Sequence, residues 1–493
     1  MKHRQSRSLF KISGFTLGMI AIFIGSVILR FWGLSRFNTL VFDEVYYAKF
    51  GNNYLTHTPF FNSHPPLSQY LIAFGIWLGS QLPFGQETVN NLTGSSLSTW
   101  SYRWFNALFG SFIPLIIGAI AYQLTHRRSY TLIATFLIAI DGLFIVESRY
   151  ALSNIYIVFF GLLGQLFFLT ALQKKGVNRW FWLILAGIGL GGAVVTKWNG
   201  LGFLLGIYLI LIVNGIIQYF TSNSEQLTPE TSFKSPLQNL NQLTPILILV
   251  SLILIPILVY CIAWLPHLQQ NPTPGLWGLQ AKMWAYHHDL GDGAKVHPYC
   301  SKWYSWILML RPIAYFYTKV DSTTPPNPIL PLHHPDQLPI IYAVHAMGNP
   351  FLWWLSTLAS LLLCWMLIQR VWMDLSLRFP QLKPQLSLQF PPTPELWLTL
   401  FLTLNWLANL LPWVKVTRCL FIYHYMTGFV FSCMALAWWL ERWLYSQQTR
   451  FRWLGGTIIF LVLFGFLYWM PLYLGLPLSP LQWKIRMWFP SWI

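Results

Sequence analysis

Acidic side chains are scarce in this sequence, so the place of each one is informative. There are 14 Asp and Glu among 493 residues, against 31 Lys and Arg. Asp43 and Glu44 stand in the run Val41-Phe42-Asp43-Glu44-Val45-Tyr46-Tyr47. Their aromatic and apolar neighbours place the pair in a partly dry setting, where desolvation raises a carboxylate pKa and makes it a better general base. The plainer reading is an ordinary pair of loop carboxylates. Asp141 and Glu147 end another apolar run, and Ser148-Arg149-Tyr150 follow. Arg149 either pairs with Glu147 or faces an anionic ligand, since guanidinium matches phosphate oxygens. Lys197, Lys415, Arg418 and Arg30 also sit at the ends of apolar runs. Snorkelling explains any one of them, whereas several together fit a phosphate-bearing lipid. Histidines and aromatics crowd a later polar segment: His287-His288, His297-Pro298-Tyr299, Trp303-Tyr304-Ser305-Trp306, Arg311-Pro312, His333-His334 and His345. Their spacing matches no zinc motif, so no metal is expected, and aromatic platforms with polar tips suit sugar or peptide recognition.

The elements that position these groups must lie in a membrane. The chain is 55% hydrophobic and 9% charged, whereas soluble domains carry roughly 25% charged residues. Aromatic residues reach 18%, as expected of a protein anchored at two interfaces. The expected fold class is all-α integral membrane. Apolar runs predict eleven spans, at about 14–33, 104–122, 130–146, 155–172, 180–196, 201–220, 246–264, 350–369, 396–411, 420–441 and 453–474. Two long polar segments interrupt them, 34–103 and 267–348, dividing the chain into an N-terminal membrane region (1–266), a second long loop (267–348) and a C-terminal membrane region (349–493). The run 14–32 reads as an uncleaved signal anchor. Cations in short loops set the orientation: Lys2, Arg4, Arg7 and Lys11, then Arg127-Arg128, Lys174-Lys175 and Arg179, Lys234, Arg370, Arg378 and Lys383, and Arg442, Arg450 and Arg452 all fall inside if the N-terminus is cytoplasmic. Both long loops then face outside. Counting residues 69–82 as a further span would break that charge rule twice, so they are expected to form an interfacial or re-entrant helix. The net charge of +17 is accordingly a topology signal, and no nucleic-acid partner is expected. The five cysteines form no CxxC pair or disulfide framework, and the polar segment 221–244 reads as a flexible loop. A transporter would call for inverted repeats and charges near the midplane, which the sequence lacks.

Several runs resemble the protein O-mannosyltransferase family: Phe42-Asp43-Glu44-Val45-Tyr46 with His64-Pro65-Pro66-Leu67, Glu147-Ser148-Arg149-Tyr150, Lys197-Trp198-Asn199-Gly200, Gln280 to His287, His297-Pro298-Tyr299 to Arg311-Pro312, Gly348-Asn349-Pro350 and Tyr423-His424-Tyr425. They follow the family order over nearly the whole chain. The resemblance implies a GT-C glycosyltransferase that moves mannose from a polyprenyl-phosphate carrier to Ser or Thr hydroxyls of exported proteins, inverting the anomeric centre in one displacement. It implies that Asp43, with Glu44, is catalytic, and that Arg149, Lys197, His64, His287, His297, Arg311, Arg418 and His424 bind donor phosphate or substrate. Implied partners are the lipid-linked donor, exported protein acceptors and the export machinery, with no cofactor beyond the donor. A related GT-C enzyme carrying another sugar to a lipid is the alternative. Two positions depart from the family pattern: Asn154, where an aspartate is frequent, and Met426-Thr427-Gly428 after Tyr-His-Tyr. The second long loop is too short for the β-trefoil module of eukaryotic members, which implies a prokaryotic plasma-membrane enzyme with its site on the outer face.

Overall fold

The computed structural model describes residues 13–221, 235–322, 329–331, 338–378 and 394–493. Lys2, Arg4, Arg7, Lys11, Lys234, Lys383, His333 and His334 lie outside the described residues. In chain order the helices are α1 (Gly14–Phe31), α2 (Glu44–Leu55), α3 (Leu67–Gly79), α4 (Thr99–Thr125), α5 (Arg128–Ala139), α6 (Gly142–Arg149), α7 (Asn154–Leu172), α8 (Gly176–Thr196), α9 (Leu201–Thr221), α10 (Pro245–Leu249), α11 (Ile255–Gln270), α12 (Gly275–Asp289), α13 (Trp303–Trp306), α14 (Pro350–Arg378), α15 (Pro394–Leu410), α16 (Met426–Leu444), α17 (Thr449–Leu474) and α18 (Pro480–Lys484). Two small antiparallel pairs decorate the long loops: β1 (Val89–Asn90) with β2 (Leu97–Ser98), and β3 (Ile313–Val320) with β4 (Ile340–Ala346).

Among the described residues, nine helices are long and apolar enough to cross a membrane, and ten if α5 and α6, bent by 57° at their junction, form one span. These ten fall on ten of the eleven expected spans. The eleventh is α16, which is almost wholly buried inside the bundle and carries Glu441-Arg442 in its last turn. A helix enclosed by protein can carry polar residues that a lipid-facing one cannot. Helix α3 has 13 residues, or about 20 Å of rise, short of a hydrocarbon core of about 30 Å. It lies against α2 and α4, in keeping with the non-spanning helix expected at 69–82. Of the polar segment 221–244, the described part is ordered: Pro236–Gln242 form a 3-10 helix with Leu237 and Leu240 buried.

Buried polar knots fix the loop that carries Asp43 and the helices around it. Glu44 is fully buried and forms a two-pronged pair with Arg103, Nε to Oε1 at 2.9 Å and Nη2 to Oε2 at 2.8 Å. The amides of Val41 and Ala151 donate to the same carboxylate, both at 2.8 Å. Arg149 donates to the carbonyls of Leu29, Trp32 and Gly33 at 3.0, 2.6 and 3.2 Å, so it satisfies carbonyls that the end of α1 leaves unpaired. Asp141 caps α6 through the Phe144 amide and accepts from Trp353 Nε1 at 2.8 Å, joining α6 to α14. Arg30 is buried between α1 and α6, bonded to Ser26 and Ser148.

Helices α9 and α15 approach closely through glycine. A Cβ on Gly202 would stand 2.3 Å from Asn409 Oδ1, and one on Gly206 only 2.0 Å from Asn405 Oδ1. At the other end of the bundle, Arg127 pairs with Glu441 at 3.1 Å, and Arg442 pairs with Glu395. A disulfide joins Cys300 of the second long loop to Cys419, in the segment between α15 and α16. It was not expected from the spacing. The pairing is made by topology, because 119 residues separate the two positions.

Candidate active site

The residues of the site come from four chain segments that the bundle gathers at one end. Phe42, just before Asp43, holds a left-handed backbone at φ 52°, uncommon for a bulky residue and a place where strain collects at functional sites. Aromatic contacts hold it there: Phe42 stacks on Tyr315 of β3 at 4.2 Å and meets His297, Phe421 and Tyr423 edge-on at 6.3 Å each. The clamp fixes Asp43 at the start of α2, where its side chain does not cap the helix. Asp43 is set among Tyr47, Tyr315 and Tyr423, with Lys197 the cation facing it. Burial pushes its pKa up to about 6, and Lys197 holds it from rising further. A carboxylate so placed is ionised near neutrality yet basic enough to take a proton.

Beside Asp43 opens a cavity of about 790 Å³, within the size range of small-molecule sites. Asp43 does not line it; Lys197 does, and connects the two. One part of the wall is polar: His64, Lys197, His287, His288, Lys415, Arg418 and His424. The other is apolar and lies in the cleft between α9 and α15, where Leu201, Leu205, Ala408 and Pro412 face each other. The cavity therefore suits a molecule with an anionic head and an apolar tail.

The positive charge of the head region comes from Lys197, Lys415 and Arg418 rather than from the buried histidines His64, His287 and His424. His64 and His287 stack at 5.0 Å. Burial holds His64 well below the usual imidazole range, with Lys197 and His287 adding to the effect, and burial first, then Arg418, brings His287 down to about 4. Both are neutral near pH 7. His287 Nε2 lies 2.8 Å from the Ser63 carbonyl, which fixes the proton on Nε2 and leaves Nδ1 a buried acceptor with no partner. His424 is bonded to the Phe421 backbone and wedged between Trp306 and Trp413.

Some expected site residues lie elsewhere. Glu44 is not available for proton transfer, because Arg103 and two amides occupy both its oxygens. Arg149 neither pairs with Glu147 nor faces the cavity; its guanidinium is used on the end of α1. Arg30 is likewise structural. Arg311 stacks on Tyr299 at 5.3 Å and donates to the carbonyls of Pro298 and Ser491, stitching the second loop to the C-terminal segment. His297 is half-buried, belongs to the Phe42 clamp and does not line the cavity. Lys197, His64, His287, Arg418 and His424 do line it. Arg103 was not singled out from the sequence, although a buried Glu44 demanded a cationic partner. Among the described residues, no group of three or more His, Cys, Asp or Glu could hold a metal ion.

The architecture matches a solved complex over nearly its full length. The S. cerevisiae protein O-mannosyltransferase Pmt1-Pmt2 complex bound to the sugar donor superposes with a TM-score of 0.74 over 98% of this chain and 93% of that one, at 14% identity. ArnT from Cupriavidus metallidurans bound to undecaprenyl phosphate gives 0.52 over 90% and 63%, at 13% identity. The fold is that of the GT-C membrane glycosyltransferases. Residues 20–270 match the family described as dolichyl-phosphate-mannose-protein mannosyltransferase, and residues 273–492 match the C-terminal four-span region of protein O-mannosyltransferase. The chain thus belongs to the protein O-mannosyltransferase family. The polyprenol-phosphate-mannose–protein mannosyltransferase of Mycolicibacterium smegmatis is 25% identical over 92% of this chain and 88% of its own length. Mouse protein O-mannosyl-transferase 1 is 29% identical over 51% of this chain. The chain spans only 33% of that mouse relative, and 26% and 27% of rat and yeast relatives.

Proposed function

We propose that this protein transfers mannose from a polyprenyl-phosphate carrier to Ser or Thr hydroxyls of exported proteins. The observation that carries the reading is the two-part cavity, a cationic head region continuous with an apolar cleft between α9 and α15. The mycobacterial relative that aligns with almost the whole chain carries the name of that activity, and the family membership supports it.

In this reading the polyprenyl chain lies in the cleft past Leu201 and Leu205, and Lys197, Arg418 and Lys415 hold the phosphate. The acceptor hydroxyl attacks C1 of the sugar from the side of Asp43. As the new C1–O bond forms, the old C1–O bond to phosphate breaks, and its electron pair stays on the phosphate. The hydroxyl proton goes to Asp43. Cations preset around a dry phosphate stabilise the charge developing there, and fixed donor and acceptor positions remove much of the entropic cost. His64 and His287, being neutral, serve as hydrogen-bonding partners of substrate rather than as counter-charges.

The end that bears the cavity is assigned to the outer face of a prokaryotic plasma membrane, with the N-terminus in the cytoplasm. Support comes from the cations at the opposite end, among them Arg127, Arg179 and Arg442, and from the disulfide, since such bonds persist in oxidising compartments. The export machinery is the partner that would present unfolded acceptors there. Mass spectrometry of exported proteins from cells with and without the gene tests the whole reading. Hexose on Ser and Thr that vanishes with the gene is expected; unchanged modification sinks it.

A further inference from the structure

Behind Lys197 runs a hydrogen-bonded row whose other members, Asn154, Glu147 and Tyr315, the mechanism above does not use. Lys197 Nζ donates to Asn154 Oδ1 at 3.0 Å. Asn154 Nδ2 donates to Glu147 Oε2 at 3.1 Å, and Tyr315 Oη donates to Glu147 Oε1. All four side chains are buried. The row joins α6, α7, the end of α8 and strand β3 of the second loop. Asn154 has one amide between an ammonium and a carboxylate, so its oxygen must face Lys197 and its NH2 must face Glu147. The amide touches both groups and so relays the carboxylate's position to an ammonium that the carboxylate does not itself contact.

The row decides where the Lys197 ammonium points. Lys197 has two anionic neighbours, Asp43 and Glu147. If Asp43 were the sole counter-charge, the ammonium would settle against it. That contact would hold the base ionised and hydrogen-bonded, and so less basic, and it would turn Lys197 away from a phosphate. Glu147 pulls from the other side, with the ammonium also resting near the rings of Tyr423 at 5.3 Å and Tyr47 at 5.7 Å. We infer that Glu147, acting through Asn154, is a positioning residue that holds the Lys197 ammonium for the phosphate of the lipid donor and off Asp43. This rests on the donor-cavity reading given above. Tyr315 makes the second outer loop part of the device, because its hydroxyl anchors the far oxygen of Glu147.

The geometry supplies its own rescue experiment. Glu147→Gln removes the charge and leaves the shape. Adding Asn154→Asp puts a carboxylate oxygen where the Asn154 carbonyl already meets Lys197, restoring the charge one bond closer. The full-length protein in detergent is titrated with farnesyl phosphate, and transfer kinetics are measured for donor and peptide separately. Glu147→Gln should weaken farnesyl phosphate binding and raise the donor KM by about tenfold or more, the lower range for losing a hydrogen bond to a charged group, with the peptide KM unchanged. The double variant should return to within about threefold of the parent by the same accounting. Should Glu147→Gln fail to fold, Tyr315→Phe removes only the anchoring hydroxyl, and a smaller rise confined to the donor KM is expected. Parent-like donor binding in Glu147→Gln, or in Tyr315→Phe where that variant stands in, overturns the inference and leaves the function standing. So does a double variant no better than the single one, or a loss spread equally over donor and peptide. A parent that binds no farnesyl phosphate sinks the cavity reading and this inference together.

Discussion

Asp43 and Glu44 are adjacent in sequence and opposite in fate. Asp43 has an aromatic surround and one facing cation, while Glu44 has Arg103 and two backbone amides. The pH dependence of transfer separates them. A base works deprotonated, so with Asp43 at about 6 the rate kcat/KM should be level above that pH and fall as pH drops through it, by roughly tenfold per unit. A profile flat from about pH 5 to 8 contradicts a base with this pKa. Glu44→Gln should act on stability instead. It leaves Arg103 as an uncompensated buried charge, at a cost of about 3–5 kcal/mol, read as a lowered thermal midpoint with donor and peptide KM unchanged in the folded fraction. The sequence marks Asp43-Glu44 as unusual through the rarity of acids, and cannot say which of the two is free, because Arg103 reaches Glu44 only through the fold. Arg149 shows the same limit. Its neighbour in sequence is Glu147, but helix geometry points the guanidinium at the end of α1 and the carboxylate at Asn154.

At the scale of elements, helices α9 and α15 make the apolar cleft in which we propose the polyprenyl chain lies, and their glycine-mediated approach sets its width. Widening one wall residue should block the tail and spare the peptide. For Leu205→Trp, an increase in donor KM of about tenfold is expected, equivalent to the cost of overpacking a filled site, while peptide KM holds. An unchanged donor KM would place the polyprenyl chain elsewhere. The spans themselves were legible because a membrane helix announces itself by continuous apolar length. Even α16, which lipid does not surround, was found by that signal. The strands β3 and β4 were not foreseen. They lie in a loop with no strict alternation, and their register depends on packing against the bundle: β4 is buried along all seven residues. The same loop was read for its histidines, of which His287 lines the cavity while His345 is buried in β4.

For the whole molecule, the proposed direction of insertion has a chemical test. Cys261, Cys364 and Cys433 are free thiols; with them replaced by serine, only Cys300 and Cys419 remain. On intact cells, a membrane-impermeant thiol reagent should label the protein only after treatment with an impermeant reductant. Labelling that requires lysis would put the disulfide and the cavity on the cytoplasmic side. This bond was invisible in the spacing of five cysteines, since nothing local relates positions 300 and 419. The two-part cavity was equally hidden as a shape, although its cations were noticed one by one at the ends of apolar runs. The most direct test of the account is transfer by the purified protein from polyprenyl-phosphate mannose to a Ser/Thr peptide, comparing the parent with Asp43→Asn at equal folded content. The parent should mannosylate the hydroxyls and the variant should be slower by about a hundredfold or more, the usual contribution of a general base. A well-folded Asp43→Asn variant with near-parental turnover would contradict it.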